Sequence, residues 1–438
     1  MKKLLLLGMS SAFAFSASAQ TLEERVEALE YAGYEDIFRF SGQLELMYAT
    51  SSEEDNENDT KASGQAWRSW LKLDMEAKPS DKMTFYGRLS MAKFVNRMSN
   101  YTDGTLGDVD GQLDEGQNPK GSEVFIERAF VNYQASDKLV FTMGRMPTAN
   151  GSPYHLTRNE SSGGAYPLLS YNAFFDGGAV SYNLMDSLSV KFIYTPFQFF
   201  MPTNATTGQQ TTTTSGDTVE TPSDIYSVML DYDKEGFSFA RRFKATFQYL
   251  RASRLAFDID DTDGSGNATQ TDMTVDISRV VLNTEFYGLF GSDIDLAVQA
   301  MTIASKTNNK LVRQVGAGVT NDFYFLSDDG SEVTGQTFIM TARYNINNSN
   351  KVGLEYTTST EGVFSSDVVS KTPIEFYGLP GHGYHVFYNR AFEGGLNMIV
   401  GAYQTQRDYE APLADTFGER DDADVTTTSI YTNFIANF

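Results

Sequence analysis

The chain has 438 residues, and its 34 basic and 57 acidic residues give a formal net charge of −23. This acidic balance argues against nucleic acid as a partner. The acidic excess indicates either hydrated loops that keep the protein soluble or an electrostatic field that attracts cations. Cysteine is absent, which excludes a disulfide scaffold and thiol chemistry. With 24 Tyr, 32 Phe and 36 Gly against 2 Trp and 11 Pro, the composition predicts an all-β fold.

Residues 1–19 have the pattern of a secretory signal peptide. Two lysines precede an apolar run, and small residues form a cleavage site near Ala19. In residues 20–35, Leu22, Val26 and Leu29 follow a helical spacing. We expect a short periplasmic helix there, either docked on the rest of the protein or paired in a trimeric coiled coil. No other apolar run approaches the 18 residues that a membrane helix needs, so a helical membrane protein is excluded.

From Asp36 to Phe438 the hydrophobic period is two. In "FRFSGQLELMY" the apolar residues Phe38, Phe40, Leu44, Leu46 and Tyr48 alternate with Arg39, Ser41, Gln43 and Glu45. About sixteen such segments follow one another, and short turns alternate with eight longer polar connections at 50–64, 96–122, 147–173, 199–223, 252–271, 306–334, 362–381 and 408–423. The pattern predicts a transmembrane antiparallel β-barrel of about 16 strands over residues 36–438, with short periplasmic turns, long extracellular loops and a polar face that lines water.

The last strand, "TTTSIYTNFIANF", ends on an aromatic residue. Its outward face is predicted to carry Ile430, Thr432, Phe434, Ala436 and Phe438. This ending resembles the carboxy-terminal signal by which outer-membrane barrels are delivered to the barrel assembly machinery, which implies that Phe438 and Phe434 form an assembly signal.

Together, the signal peptide, the short helix, the sixteen alternating segments and Phe438 resemble the Gram-negative outer-membrane porins. More narrowly, "GRMPTANGSPYHL" and "AYPLLSYNAFFDGGAVSY" are similar to a group of proteobacterial porins. The resemblance implies location in the outer membrane of a Gram-negative bacterium, contact with membrane lipid and lipopolysaccharide, and a homotrimer. It also implies that the third long loop, 147–173, folds into the lumen with Arg158 and Glu160. The alternative is an ordinary external loop.

Four basic side chains fall by parity on the lumen face of consecutive strands: Arg39, Arg68, Arg88 and Arg128. If carboxylates lie opposite them, these four side chains could create a transverse electric field that selects among ions. Alternatively, each arginine pairs with a neighbouring lumen acid such as Glu45, Asp74, Glu76 or Glu127 and stiffens the wall. The fourth strand is ambiguous, because Phe130 shares the face of Arg128.

The segment "DTDGSGNATQTD" carries a calcium-loop spacing. Asp261, Asp263, Ser265 and Asp272 occupy positions one, three, five and twelve, and Gly266 occupies the sixth. Calcium in an extracellular loop is therefore one hypothesis, and a hydrated acidic turn is the other.

No constellation of side chains suggests catalysis, so we expect that the protein is not an enzyme. The resemblance implies passive diffusion of ions and small hydrophilic solutes through a water-filled channel. Two alternatives are a substrate-specific channel for a small nutrient and a non-conducting surface anchor or adhesin.

Overall fold

The computed structural model describes residues 38–96, 123–160, 164–170, 175–197, 223–257, 273–309, 311–316, 319–323, 326–327, 329–363, 376–409 and 422–438. The predicted signal peptide, the predicted amino-terminal helix and the predicted calcium loop lie outside the described residues.

Almost all of the described chain is β-strand. The strands are β1 (Phe38–Asp55), β2 (Thr60–Ser80), β3 (Met83–Asn96), β4 (Glu123–Gln134), β5 (Leu139–Met146), β6 (Phe175–Met185), β7 (Leu188–Phe197), β8 (Ser223–Glu235), β9 (Ala240–Phe257), β10 (Met273–Leu289), β11 (Ile294–Asn309), β12 (Leu311–Gly316), β13 (Val319–Phe323), β14 (Val333–Asn345), β15 (Asn350–Ser359), β16 (Gly381–Ala391), β17 (Leu396–Tyr409) and β18 (Asp422–Asn437). One short α-helix, α1 (Tyr154–Arg158), and one 3₁₀ turn (Glu393–Gly395) accompany them.

Sixteen of these strands form a closed antiparallel barrel, in which neighbours along the chain are neighbours in space and β18 pairs with β1. The remaining two strands, β12 and β13, form a separate hairpin between β11 and β14. The predicted all-β barrel of about 16 strands is confirmed. No helix in the described ranges has the length and hydropathy of a membrane-spanning helix.

The period of two in the sequence separates the two faces of the wall. In β1, Phe40 and Leu46 point outward and are 71% and 44% exposed, whereas Glu45 and Met47 point inward and are buried. In β18, Phe438 and its alternate neighbours lie on the outer face, as the sequence predicts. The exposed apolar outer face is typical of a barrel that contacts lipid.

Seven short connections lie at one end of the barrel, which we call the short-turn end: 81–82, 135–138, 186–187, 236–239, 290–293, 346–349 and 392–395. The first predicted long loop, 50–64, differs from the prediction. There β1 continues to Asp55 and pairs with Thr60 at the start of β2, so only 56–59 form a turn. Up to Asp55, β1 is therefore paired on both sides, with β2 on one and with β18, as far as Val425, on the other.

Glycines make room for large inward side chains in the packed part of the wall. Gly353 on β15 lies opposite Phe387 on β16, and a methyl group at Gly353 would collide with that buried ring and lie 2.7 Å from the Ala342 carbonyl oxygen. A ring that fills the space over a glycine cannot move without disturbing its own neighbours.

We predict that Gly353→Ala lowers the free energy of unfolding by about 1–3 kcal/mol, because overpacking forces side chains or backbone from their positions. Urea unfolding of the protein in lipid vesicles measures this. Gly178→Ala is the matched control, because its added methyl group would meet its nearest atom, the Thr142 carbonyl oxygen, at 3.5 Å. Equal stability of the two variants would contradict the prediction.

Candidate functional site

The third loop lies inside the barrel. It leaves β5 at Met146 and returns to β6 at Phe175, and every residue of α1 within it is buried. Inward side chains of distant strands contact its backbone. Arg343 of β14 donates to the Leu156 carbonyl at 3.3 Å, and Asn389 of β16 donates to the Thr157 carbonyl at 2.9 Å. These contacts place α1 against the β14–β16 side of the lumen.

A buried charge cluster fixes the same helix to β1. Both Arg158 and Arg68 donate to the Glu45 carboxylate, at 2.6 and 3.0 Å, and Asn433 of β18 donates to it at 3.0 Å. Burial by itself disfavours the charged guanidinium, but the Glu45 and Glu160 carboxylates outweigh it and hold the pKa of Arg158 well above its usual value. We call Glu45, Arg68, Arg158 and Asn433 the β1 clamp.

On the opposite side, the loop is attached to β10 and β11. Ser152 donates to the Asn283 side-chain oxygen at 3.2 Å, and His155 Nε2 lies 2.9 Å from the Tyr287 hydroxyl. Burial lowers the pKa of His155, against the opposing effect of the Glu285 carboxylate. These contacts hold the loop from a second direction.

Gln299 of β11 binds the loop backbone at two points. Its side-chain nitrogen donates to the Ser152 carbonyl at 3.0 Å, and its oxygen accepts from the Leu169 amide at 2.8 Å. One buried side chain therefore joins the descending and returning arms of the loop.

The tip of the loop reaches the short-turn end. Asn159 accepts a hydrogen bond from Lys351, the second residue of β15. Glu160 accepts one from Gln43 at 3.1 Å, and Gln43 pairs in register with Asn437 at the end of β18. The loop therefore runs through most of the depth of the lumen on this side.

Apolar packing surrounds the loop on most sides, and the buried cluster includes Ile193 of β7, Met229 of β8 and Leu250 of β9. Inward residues of β16–β18, among them Phe387, Ile399 and Ile435, belong to one buried cluster with Tyr154 of the loop. The His385 ring stacks on the Tyr403 ring with centroids 3.8 Å apart. The sequence predicts a polar inner face that lines water. The inner face of β16–β18 differs from this prediction, because the third loop packs against it.

A charged wall in contact with water lies toward the short-turn end of the lumen. It is formed by the parts of β2–β9 near the short-turn end, and we call it the charged wall. Its water-accessible side chains are between 16 and 42% exposed. They are Asp74, Glu76, Arg88, Arg128, Lys191, Asp231, Asp233, Arg242 and Lys244.

Ion pairs join neighbouring strands along the charged wall. Arg88 contacts Asp74 at 2.7 Å and Glu127 at 3.0 Å. Further round, the Arg242–Asp233 pair is 2.6 Å apart, and Lys191 lies 3.7 Å from Asp231. Charges of both signs therefore alternate around this wall.

A β-bulge resolves the ambiguity in β4. Arg88 pairs with Arg128, but the next residue of β3, Leu89, pairs with Ile126, so Glu127 is the extra residue. The bulge turns both Glu127 and Arg128 inward. Phe130 shares the inner face with Arg128 and stacks on Tyr86 with centroids 5.0 Å apart.

The predicted selectivity residues divide into two groups. Arg88, Arg128 and Asp74 lie on the charged wall. The sequence predicts that Arg68, Arg158 and Glu45 line the pore, but they are at most 4% exposed. Burial in the β1 clamp explains the difference, because Arg158 of the loop binds Glu45 and the loop covers Glu45 and Arg68.

Two further predicted positions lie at the short-turn end. Arg39 is exposed at the rim, opposite Glu76 in register. Glu160 is partly covered beside Arg158. Within the ranges that the structure describes, no group of three His, Asp or Glu side chains could hold a metal ion.

The family model described as "Protein of unknown function (DUF3373)" matches residues 56–362. A search of the curated proteins gives no match.

Among solved structures, the chain is similar to an anion-selective porin from Comamonas acidovorans, with 10% identity, a TM-score of 0.51, and coverage of 92% of this chain and 100% of that chain. It is also similar to Salmonella typhi OmpF in complex with daunomycin, with 12% identity, a TM-score of 0.47, and coverage of 90% of this chain and 97% of that chain. OmpT, an outer membrane protein of Vibrio cholerae, gives 12% identity, a TM-score of 0.48, and coverage of 91% and 97% in the same order. At such identity, the Comamonas porin shows the fold alone.

We predict that Glu45→Gln lowers the free energy of unfolding by about 3–5 kcal/mol, because it leaves two buried guanidiniums without their shared carboxylate. Urea unfolding in vesicles measures the loss. Glu57→Gln, in the exposed turn between β1 and β2, is the control. If both variants unfold at the same urea concentration, the clamp does not hold the loop.

Proposed function

The chain belongs to the family described as "Protein of unknown function (DUF3373)", and we propose that it forms a narrow, water-filled channel through the outer membrane. Ions and small hydrophilic solutes would diffuse through it passively. The observation that carries this proposal is the charged wall, a water-accessible strip of ion pairs that runs beside a tightly packed loop.

Membrane insertion follows from the outer face. A closed sheet pairs every backbone group of its wall, as hydrocarbon requires, and the outer face exposes apolar side chains such as Phe40, Leu46 and Ile430. The membrane is taken to be the outer membrane of a Gram-negative bacterium, where barrels of this fold are found. A homotrimer, delivery by the barrel assembly machinery and contact with lipopolysaccharide belong to the same proposal.

The channel is narrow because the loop occupies part of the barrel. A 16-stranded barrel encloses a water-filled lumen when no segment of the chain folds into it. Here the third loop packs against β1, β9–β11, β14–β16 and β18, its Tyr166 ring lies 5.2 Å from the Lys191 ammonium of β7, and the passage is restricted to the space that the loop leaves beside the charged wall. The protein therefore belongs with restricted channels and differs from wide diffusion pores.

Ion selectivity is expected to be mild. In the described part of the chain, the charged wall and the bulge residue Glu127 contribute five basic side chains and five acidic ones. The formal charge of the whole chain is −23, but the local balance sets the field that a permeating ion meets at close range.

The packing of the loop favours a second candidate, a non-conducting barrel that serves as a surface anchor. In such a barrel the lumen would be closed throughout. Catalysis is part of neither candidate.

We predict small, stable, ohmic current steps when the refolded full-length protein is inserted in planar bilayers, because the charged wall keeps ion pairs in contact with water beside the packed loop. A wide general porin in the same salt is the reference, and its steps should be larger. Folded protein that inserts in the membrane and gives no steps would contradict the channel and support the surface anchor.

We also predict that Asp231→Asn combined with Asp233→Asn shifts the reversal potential under a salt gradient toward anion preference. Removal of two wall carboxylates leaves the lysines and arginine beside them in excess, and the anion-to-cation permeability ratio should rise about two- to fivefold. Glu57→Gln is the control that removes a carboxylate from the exposed turn between β1 and β2. An equal shift in both variants would mean that the wall does not line the ion path.

A further inference from the structure

The innermost charged groups of the charged wall on β7 and β8 lie where the third loop begins to pack. The side chain of Lys191 is 18% exposed and that of Asp231 is 31% exposed. Two residues further from the short-turn end on the same inner faces, Ile193 and Met229 are buried. Water on these two strands therefore reaches as far as Lys191 and Asp231, and a solute that enters from the short-turn end meets both charges.

The Lys191 ammonium is held between the third loop and Asp231. Its nitrogen lies 5.2 Å from the centroid of the buried Tyr166 ring, and the face of an aromatic ring attracts a cation. On the other side, the same nitrogen lies 3.7 Å from Asp231 Oδ2. This separation exceeds the length of about 2.7–2.9 Å that is usual for a hydrogen bond from a charged nitrogen to a carboxylate. Since a lysine ammonium has three N–H donors, Lys191 can also donate to a carboxylate that enters from the lumen.

The Asp231 carboxylate has an oxygen for a ligand. Its Oδ1 accepts from the Thr246 hydroxyl at 2.8 Å, and its Oδ2 is the atom nearest to Lys191. The neighbouring Asp233 differs, because Arg242 donates to both of its oxygens, at 2.7 and 2.6 Å. Of these two carboxylates, Asp231 is therefore the better acceptor for an entering cationic group.

Short polar side chains leave room beside the pair. In its lateral row of the sheet, Asp231 stands between Ser189 of β7 and Thr246 of β9. In the adjacent row, the β6 neighbour of Lys191 is Ser181. Because these three hydroxyl side chains are shorter than a lysine, a compact solute can contact Lys191 and Asp231 together.

Two adjacent opposite charges select a solute by its pattern of charge. A simple anion is attracted by Lys191 but repelled by Asp231, and a simple cation meets the reverse. A zwitterion gains from both charges when its own two charges lie on neighbouring atoms. The pair therefore favours the arrangement of charges that a free α-amino acid carries.

We propose that Lys191 and Asp231 form a binding site for a free α-amino acid with a small side chain. The carboxylate of the amino acid accepts from the Lys191 ammonium, and its ammonium group donates to Asp231 Oδ2. The proposal rests on the proposed function, because it names a class of solute that binds on the way through the channel.

Saturation-transfer NMR of the refolded full chain in detergent micelles at neutral pH tests the proposal. Four probes of similar size differ in charge: alanine carries both charges, propanoate only the carboxylate, isopropylammonium only the ammonium, and lactamide neither. After subtraction of the signal from protein-free micelles, we expect the alanine methyl group to receive at least about threefold more saturation than the methyl groups of the other three probes.

Two single substitutions should change the preferred probe in opposite directions. Lys191→Met removes the ammonium and keeps an unbranched side chain, so isopropylammonium should replace alanine as the preferred probe. Asp231→Asn removes the negative charge, so propanoate should become the preferred probe. Lys61→Met is the matched control, because Lys61 is 67% exposed and pairs with Glu54 at the opposite end of β2 from its short turn. It should leave the preference for alanine unchanged.

The proposal fails on either of two results. One is equal saturation of alanine and lactamide by the wild type. The other is a preference for alanine that survives both Lys191→Met and Asp231→Asn. Heat-shifted mobility on a gel verifies that each variant is folded.

Current recordings in planar bilayers separate this proposal from the proposed function. Wild-type protein that gives current steps but shows no preference for alanine would overturn the amino-acid site alone. Wild-type protein that prefers alanine, with the changed preferences in both variants, but gives no current steps would contradict the channel and support the site.

Discussion

The requirement that every backbone group in the wall be paired governs the structure. Pairing of β18 with β1 closes the sheet, and at the chain end the Gly42 amide donates to the Phe438 carbonyl at 2.8 Å, while the Phe438 amide donates to Gly42 at 3.0 Å. With the ring closed, outward positions meet an apolar environment and inward positions enclose a lumen. The remaining features are consequences of what fills that lumen.

The third loop divides the interior into two unlike halves. On the side of β14–β18 and β1, the loop excludes water and makes buried hydrogen bonds and apolar contacts. Within the β1 clamp, Glu45 pairs with the charged Arg158 of the loop. Toward the short-turn end of β2–β9, ion pairs face water. One loop therefore determines both the packing of the interior and the part of the inner wall that stays in contact with water.

The outer face of the barrel was predictable because the alternation in strands such as "FRFSGQLELMY" has one dominant apolar phase. The strand count followed from the same period and from the turns between segments. The interior was less predictable, because residues such as Phe387, Ile399 and Ile435 make the inner face apolar as well. In a sequence, apolar residues on both faces of a strand indicate that the strand is buried on both sides.

Side-chain partners also depend on register, which a single sequence does not determine. The sequence placed Arg68, Arg88 and Arg128 on one inner wall, but it did not show that Glu45 would bind Arg158 from the loop. Nor could parity assign β4 beyond Glu127, because a bulge shifts the phase by one residue. Long-range contacts and irregular pairing are the parts that required the structure.

The division of the lumen can be tested most directly by thiol accessibility, since the chain contains no cysteine. Asp231→Cys on the charged wall and Ser429→Cys on the packed inner face of β18, 0% exposed, would each be reacted with a charged, water-soluble thiol reagent in lipid vesicles. The structure predicts rapid modification of Asp231→Cys and reaction at least about tenfold slower for Ser429→Cys, because reaction requires the thiolate to be accessible to water. Equal rates at the two positions would contradict a lumen that is packed around the third loop and open to water at the charged wall.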